Sequence, residues 1–263
     1  TLGVMEQLMN IALNHCDPRL DKTDVIESED KEMKSCNILQ SNALNCVRGS
    51  AARAIGHLLW EDQEAFIRFK DVIEGLTKDE NLSVRFASLY ALWPSYNIDR
   101  EWTAEKILYL YESDIRMASF HDSKNMFFLL YPRYKERIIH IIEKCFESED
   151  RQLIEVGGCT VCEFYIRYNE FKTIIMSVQS KSEEQIKAIL DMAVIYLQVD
   201  DYRNKAKDII LAYKNVDADI EFPLAKMFYD KYIDAKRDKV FLQELMQTKV
   251  SRRGVWAFVR SLA

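Results

Sequence analysis

Apolar residues recur along most of this chain at the spacing of an α-helix, with an apolar position every three or four residues. Such a stripe buries one face of a helix and leaves the other face to solvent. Two of the clearest stripes are Ile138, Ile139, Ile141, Ile142, Cys145 and Phe146, and Ile186, Ile189, Leu190, Ala193 and Leu197. The pattern therefore predicts a succession of amphipathic helices.

The predicted helices are short, and only a few residues join each helix to the next. Connections of that length make successive helices pack antiparallel as hairpins. We count about fourteen helices in about seven pairs, and a mean of about 38 residues per pair falls in the range of helical repeats. The predicted helices span 2–15, 42–60, 63–76, 82–94, 101–112, 123–131, 134–147, 150–168, 170–179, 183–199, 202–214, 221–235, 238–248 and 252–261.

Residues 17–34 interrupt the helical pattern. Seven of them are acidic and four are basic, and their few apolar residues have no regular spacing. A segment so rich in charge has no apolar face to bury. We therefore predict an exposed acidic loop over 17–40, after the first helix.

The composition agrees with an all-α fold. The chain has 7 Gly and 4 Pro in 263 residues, too few for the many tight turns of an all-β protein. It contains no run of about 18 apolar residues, so we predict no transmembrane helix. The six cysteines lack the spacing of a small disulfide framework, and we expect a reducing, cytoplasmic setting.

The formal net charge of −6 gives the chain no overall attraction for a phosphate backbone. The charge is uneven, because residues 1–131 carry 14 basic and 21 acidic side chains, whereas residues 226–260 carry nine basic and four acidic ones. The basic segment 226–260 is the one candidate for contact with nucleic acid, and a solvated helix face is the simpler interpretation. The charge pattern therefore favours a protein or peptide over nucleic acid as the partner.

A short motif begins two of the predicted helices and is partly echoed over residues 114–120. In each copy a branched apolar residue precedes an arginine, and small residues follow about one helical turn later. The second arginine comes 37 residues after the first, and the third comes 31 residues after the second. The three copies are centred on Val47-Arg48, Val84-Arg85 and Ile115-Arg116.

This motif, with the Asp or Asn before it, resembles the second helix of HEAT repeats, most closely over 42–60 and 79–94. The resemblance implies an all-α, superhelical α-solenoid of about seven antiparallel helix pairs with a long concave groove. We expect one such domain over 1–263. On the inner helices, Arg48, Arg85 and Arg116 would form a structural ladder, in which each arginine pairs with a carboxylate or carbonyl of the adjacent repeat.

The stretch from Val47 to Asp62 is also similar to helical-repeat regions at the carboxyl end of large bacterial NTPases, several of which are implicated in defence against phage. In those proteins the repeat region commonly senses a foreign protein, while an upstream domain carries the activity. The similarity implies that this chain is a sensor region. We expect the chain, which begins at Thr1, to be a piece of a larger protein.

No motif in the sequence indicates catalysis. The chain contains no GxxxxGKS or GxxxxGKT loop, no GxGxxG, no GxSxG and no HExxH. Cys159 and Cys162 form a CxxC, but no second pair or histidine has the spacing that would complete a zinc site, and two small residues in an apolar helix are the simpler interpretation. We therefore expect no enzymatic activity, no cofactor and no metal.

The favoured hypothesis is a non-enzymatic protein-binding module that holds a protein or peptide in the concave groove. Arginine and tyrosine are enriched at recognition hot spots because they combine contact area with hydrogen bonding. For His57, a packing role inside the fold stays open beside a partner contact. For His121-Asp122, a kink between repeats stays open beside a groove contact. Exposed ends of the array would also allow a homodimer. The residues expected to contact the partner are Arg53, His57, Ser88, Ser119 and Asp122.

Two alternatives stay open. HEAT-like helix pairs also build DNA-binding proteins, including alkylpurine DNA glycosylases. Such an enzyme needs a basic groove and an acid beside an aromatic pocket for the flipped base, and Trp93 with Asp114 is a pair of the required kinds. Some HEAT-like proteins attach bilins to the cysteines of other proteins, although no residue here indicates that activity.

Overall fold

The computed structural model describes residues 2–19, 35–216 and 221–246. All regular secondary structure in these three stretches is helical, so the predicted all-α class is confirmed. In the described part of the chain we number thirteen α-helices. They are α1 (Leu2–Asn14), α2 (Cys36–Asn45), α3 (Val47–Glu61), α4 (Phe66–Thr77), α5 (Leu82–Ser95), α6 (Arg100–Ser113), α7 (Ser123–Phe146), α8 (Arg151–Tyr168), α9 (Lys172–Met176), α10 (Glu183–Tyr196), α11 (Arg203–Ala212), α12 (Glu221–Tyr229) and α13 (Lys239–Met246).

The largest difference from the predicted helices lies before α3. The predicted loop over 17–40 is wrong at its end, because α2 begins at Cys36; residues 20–34 lie outside the described stretches. Ser35 caps α2, and its Oγ accepts a hydrogen bond from the backbone N–H of Ile38 at 3.4 Å. The predicted helix 42–60 is two helices, since the backbone of Cys46 is extended, with φ −98° and ψ 155°.

Other helix boundaries differ more modestly. The predicted helices 123–131 and 134–147 form one element, α7, with a non-helical backbone at Tyr134 two residues after Pro132. The predicted helix 170–179 is reduced to α9 and a short 3-10 turn, Val178–Ser180. The predicted helix 252–261 lies outside the described residues.

The third copy of the arginine motif does not begin an α-helix. Residues Ile115–Ser119 form a 3-10 helix, and α7 begins only at Ser123. Asp114 caps the 3-10 helix by accepting a hydrogen bond from the N–H of Arg116 at 2.9 Å. The chain then leaves helical geometry at Phe120, where ψ is 135°. The third copy, which matches the motif only in part, is therefore not equivalent to the first two.

Contacts divide the chain into two compact units, Thr1–Ile141 and Ile142–Ala263, and the predicted single domain over 1–263 stays a prediction. In the first unit α3 and α5 pack along one another, and α4 packs against α5 and α6. Gly56 allows the close approach of α3 to α5, because a Cβ on Gly56 would lie 2.3 Å from the carbonyl oxygen of Tyr90. Backbone therefore meets backbone at this crossing.

Ion pairs join α4 to α6 and α6 to α7 in the first unit. Glu74 of α4 binds both Lys78 and Lys106, and hydrogen bonds from these two ammonium groups lower the pKa of Glu74 to about 2. Four of the pairs link residues that are 29 to 32 positions apart, with N···O distances of 2.7 to 2.9 Å. They are Lys70–Asp99, Glu74–Lys106, Glu101–Arg133 and Glu105–Arg137.

In the second unit each helix contacts the helix two places further along the chain. One row consists of α8, α10 and α12, and the other consists of α9, α11 and α13. Gly158 in α8 lets α10 come close, since a Cβ at this position would lie 2.5 Å from the Cβ of Ala188. Small residues thus set the helix spacing here, as Gly56 does in the first unit.

A buried carboxylate stands at the start of α13. Asp238 is 1% exposed and forms an ion pair with Lys207 of α11 at 2.6 Å. Its Oδ2 accepts hydrogen bonds of 2.9 Å from Arg237 and from the backbone N–H of Asp234. Burial opposes ionisation of Asp238, but the hydrogen bonds from Arg237 and Lys207 outweigh it and lower its pKa to about 2.

Membrane crossing by an α-helix requires both length and a strongly apolar surface. None of the helices in the described stretches combines these two properties.

Candidate functional site

A cavity of about 440 Å³ opens on the first unit beside the crossing of α3 and α5. Helix α3 contributes one face of its second half to the lining, and α5 contributes two aromatic side chains. The segment between the 3-10 helix and α7 forms the third side. The lining residues are Leu44, Arg53, Gly56, His57, Trp60, Tyr90, Trp93, Phe120, His121 and Asp122.

Helical spacing explains why these side chains converge. Residues 53, 57 and 60 follow one another at i, i+4 and i+7, so they share one face of α3. Tyr90 and Trp93 lie three residues apart and share one face of α5. Because Gly56 brings the two helices into backbone contact, both faces border the same hollow.

Tyr90 is the centre of this aromatic group. The ring of Phe120 lies edge-on to it with a centroid distance of 4.9 Å, and the ring of His121 lies 5.5 Å away. The guanidinium carbon of Arg53 lies 5.6 Å from the centroid of the same ring. Burial raises the pKa of Tyr90; the nearby positive charge of Arg53 lowers it, and the negative charge of Asp122 raises it further.

The two charged side chains of the cavity differ in what they bind. Asp122 pairs with His121 at 3.0 Å and accepts a hydrogen bond from the side-chain amide of Asn125 at 3.1 Å. Arg53 is exposed and makes no ion pair with any residue in the three described stretches. The Tyr90 ring accepts no N–H···O bond, so the guanidinium N–H groups of Arg53 remain available to a ligand.

Neither a family model, nor a curated protein, nor a solved structure matches this chain. The side chains of the cavity therefore carry the information on what it binds.

Three of the five predicted contact residues, Arg53, His57 and Asp122, line this one cavity. Ser88 and Ser119 do not. Ser88 is fully buried, and its hydroxyl donates a 2.6 Å hydrogen bond to the backbone carbonyl of Arg85 in its own helix. Ser119 is 7% exposed, donates to the carbonyl of Arg116 and accepts from Gln40. Assigning these two serines to a partner-binding surface is therefore wrong, because both hydroxyls are used inside the fold.

The aromatic side chains of the cavity were missing from the predicted contacts. Trp60 is the most informative of them, because half of its surface is exposed. Its position three residues after His57 and seven after Arg53 puts it on the same helix face, and this spacing is visible in the sequence. Phe120 carried no such signal, because it lies after the 3-10 helix, in a segment whose path the sequence pattern does not indicate.

The three arginines of the predicted ladder make different contacts. Arg48 forms an ion pair with Asp79 and donates a 3.0 Å hydrogen bond to the carbonyl of Pro18. Arg116 pairs with Asp114, two residues before it, so this contact lies within one loop rather than between repeats. The buried Nε of Arg85 has no hydrogen-bond partner among the residues that the structure describes. The buried Nε of Arg48 lacks a described partner in the same way. Arg48 thus pairs with a carboxylate 31 residues away, as the predicted ladder requires, whereas Arg116 pairs within its own loop.

A second cavity, of about 520 Å³, lies in the second unit. Its side chains are mostly charged, and no aromatic residue of the described chain lines it. Burial raises the pKa of Asp191, and Lys226 opposes that rise. The mixture of both charge signs, without an aromatic surface, makes this cavity the weaker candidate for recognition.

The buried cysteines are poorly suited to metal binding or redox chemistry. Cys159 and Cys162 are both buried in α8, and burial raises the pKa of the Cys162 thiol well above its usual range. Burial likewise raises the pKa of Cys145 to about 12. Within the described residues, no group of three or more His, Cys, Asp or Glu side chains could hold a metal ion.

We expect one of the six thiols to react rapidly with a disulfide reagent in the folded protein. Cys16 is exposed and the other five cysteines are buried. The thiolate is the reactive species, so burial protects a thiol both sterically and by raising its pKa. Counting thiols with Ellman's reagent should give one fast equivalent in buffer and six in denaturant. Two or more fast equivalents in buffer would contradict the burial described here.

Proposed function

We propose that this chain is a non-enzymatic protein-binding module, a HEAT-like α-solenoid that holds a segment of another protein against the cavity between α3 and α5. The observation that carries the proposal is the convergence of Trp60, Trp93, Tyr90 and Arg53 on one open hollow. Tryptophan, tyrosine and arginine are the residues that most often dominate the energy of protein interfaces.

The packing pattern supports the solenoid part of the proposal. In a stacked array of hairpins, each helix contacts the corresponding helix of the next hairpin. The contacts of α3 with α5, of α8 with α10, and of α10 with α12 have this form. The ion pairs between residues 29 to 32 positions apart recur at a regular interval, as a repeated packing unit would produce.

The openness of the hollow supports a macromolecular partner. A site for a free small molecule normally encloses most of the ligand. Here the rim is formed by exposed side chains, of which Trp60 is half exposed and His57 and His121 are also exposed. A side chain that remains attached to a larger partner would fill such a hollow while the rest of the partner covers the rim.

The wider role that we propose is recognition within a larger cytoplasmic protein. The similarity of residues 47–62 to repeat regions of bacterial NTPases supports a sensor role, in which a separate domain would carry the activity. The absence of nucleotide-binding and hydrolase motifs from the sequence agrees with a module that binds rather than reacts.

Replacing Trp60 by alanine should weaken partner binding by about thirtyfold, because an anchor of this kind contributes about 2 kcal/mol at an interface. The ligands would be peptides selected from a random phage-displayed library on the wild-type chain. Their dissociation constants would then be measured by fluorescence anisotropy. Because half of the Trp60 surface is already exposed, the variant should fold normally.

Ile67→Ala is the matched control, since Ile67 is a large apolar residue of α4 that is 84% exposed and does not line the cavity. Its peptide affinities should stay within about twofold of wild type. If the library yields no enriched peptides, or if Trp60→Ala and Ile67→Ala bind the selected peptides equally, the proposed function is wrong.

Nucleic acid is the second candidate, and one observation favours it. Asp122 lies in the aromatic hollow, as an acid beside a flipped base would require, whereas the expected Asp114 caps the 3-10 helix and pairs with Arg116. Duplex DNA binding measured as a function of salt tests this candidate. Micromolar affinity with a steep salt dependence would support it, and no binding at about 50 mM salt would exclude it.

A further inference from the structure

We propose that the hollow between α3 and α5 recognises a protein segment in which an aromatic or large apolar side chain stands next to a carboxylate, and that Arg53 binds the carboxylate. The inference deepens the proposed function and rests on it. It specifies the chemistry of the partner, which the binding role alone leaves open.

The two charged side chains at the hollow, Asp122 and Arg53, differ in whether they have partners within the fold. Asp122 is occupied by His121 and Asn125, with distances of 3.0 and 3.1 Å. Arg53 has only the face of Tyr90 beneath it, and it forms no ion pair with the residues described. The Asp122 carboxylate thus already has donors beside it, whereas the Arg53 guanidinium has no acceptor among the described residues. The group on a partner that complements Arg53 is therefore an anion rather than an ammonium group.

The geometry of the guanidinium also favours a carboxylate. An arginine that stacks on an aromatic ring has its orientation restricted, and its outward N–H groups form a fork that matches the two oxygens of a carboxylate. Arg53 is exposed, while Tyr90 beneath it is half-buried and held edge-on by Phe120 at 4.9 Å. The packing of Tyr90 thus restricts the position of the Arg53 guanidinium at the edge of the hollow.

The charge of the first unit favours a single carboxylate over a polyanion. The unit that bears the hollow, residues 1–141, carries 22 acidic and 17 basic side chains, so it repels a polyanion. A single carboxylate needs only the single local cation that Arg53 supplies. The apolar surfaces of Trp60 and Trp93 beside it would take the neighbouring side chain of the same segment.

The test selects peptides from one random twelve-residue phage library in parallel on wild type, Arg53→Gln and Arg68→Gln. Arg68 is the matched control, because it is an exposed arginine of α4 that does not line the hollow. Peptides selected on wild type and on Arg68→Gln should share an Asp or Glu within two positions of an aromatic or large apolar residue. Peptides selected on Arg53→Gln should lack that acidic preference.

A double exchange then measures the contact directly. Replacing the shared acid of a selected peptide by its amide should weaken binding to wild type and to Arg68→Gln by about tenfold, and should change binding to Arg53→Gln by less than twofold. Arg53→Lys should show an intermediate loss, because it retains the charge without the fork.

The outcomes separate this inference from the proposed function. If the selected peptides depend on Trp60 but carry no shared acid, or if the acid-to-amide change affects wild type and Arg53→Gln equally, the carboxylate inference is wrong while the binding role stands. If no selected peptide depends on Trp60, the proposed function fails and this inference fails with it.

Discussion

Gly56→Ala should destabilise the first unit by about 2 kcal/mol. The added methyl would lie 2.3 Å from the carbonyl oxygen of Tyr90 and 2.8 Å from its carbonyl carbon, so α3 and α5 would have to move apart. Overpacking of this kind costs about 1 to 3 kcal/mol, and the better helix propensity of alanine returns less than about 1 kcal/mol. Urea unfolding followed by tryptophan fluorescence measures the effect, because Trp60, Trp93 and Trp102 lie in this unit.

Alanine variants of two other glycines serve as controls for Gly56→Ala. A methyl group added to Gly3 in α1 would have no described atom within 4 Å, so Gly3→Ala should be neutral or slightly stabilising. At Gly75 the methyl would meet the tip of the Leu13 side chain at 2.8 Å, and that side chain can rotate away at small cost. We therefore expect the free energy of unfolding to be highest for Gly3→Ala, intermediate for Gly75→Ala and lowest for Gly56→Ala. Equal stability of the first and last variants would contradict the close approach of α3 and α5.

Asp238→Asn should destabilise the second unit by about 3 kcal/mol. The carboxylate forms ion pairs with Lys207 and Arg237 at 2.6 and 2.9 Å, with Arg203 at 4.0 Å. An asparagine would leave the largely buried Lys207 without a countercharge, and Arg203 with only the exposed Asp200 at 3.4 Å. Breaking a buried pair on one side typically costs several kcal/mol. Chemical unfolding gives the size of the loss, and faster amide exchange in α11 and α13 would assign it to this unit.

Asp238→Asn should also remove the part of the pH dependence of the unfolding free energy that comes from this carboxylate. The folded-state pKa of Asp238 is about 2, below its usual value of 3.8, so the carboxylate stabilises the fold above pH 4. This stabilisation is lost as the pH falls from about 4 to 2, when the group becomes protonated in the folded state as well. The difference in unfolding free energy between wild type and Asp238→Asn should be constant from pH 5 to pH 7 and should narrow below about pH 4.

Asp201→Asn serves as the control for both measurements, since Asp201 is an exposed aspartate at the turn before α11. It should change the unfolding free energy by less than about 0.5 kcal/mol at any pH. If Asp238→Asn behaves like this control, the ion-pair cluster contributes nothing to the stability of the second unit.

The sequence predicts the helices well where burial has a strict period. The stripe from Ile186 to Leu197 became α10 because each apolar residue on it could be buried by neighbours two helices away. Helix α2 escaped prediction because its amphipathic signal is weak: only Cys36, Leu39 and Ala43 are buried, and the charged segment before it hides the start. A serine cap at Ser35 was the available local signal.

The candidate site was predictable in part. Arg53 and His57 could be chosen because they lie on a helix face whose neighbours are small, and that face borders the hollow. Ser88 could not be told from an exposed serine, since a hydroxyl that bonds back to its own helix looks the same in sequence as one that meets a partner. The approach of Phe120 to Tyr90 depends on tertiary contacts that no local spacing encodes.

The contacts between alternate helices in the second unit have a consequence for changes in chain length. Because α10 is held chiefly by α8, α11 and α12, each hairpin interacts mainly with the hairpins beside it in sequence. Duplication or loss of one hairpin would therefore disturb two junctions and leave more distant helices with their existing neighbours. A variant of this chain with one hairpin more or fewer in this unit should accordingly keep most contacts of the remaining helices.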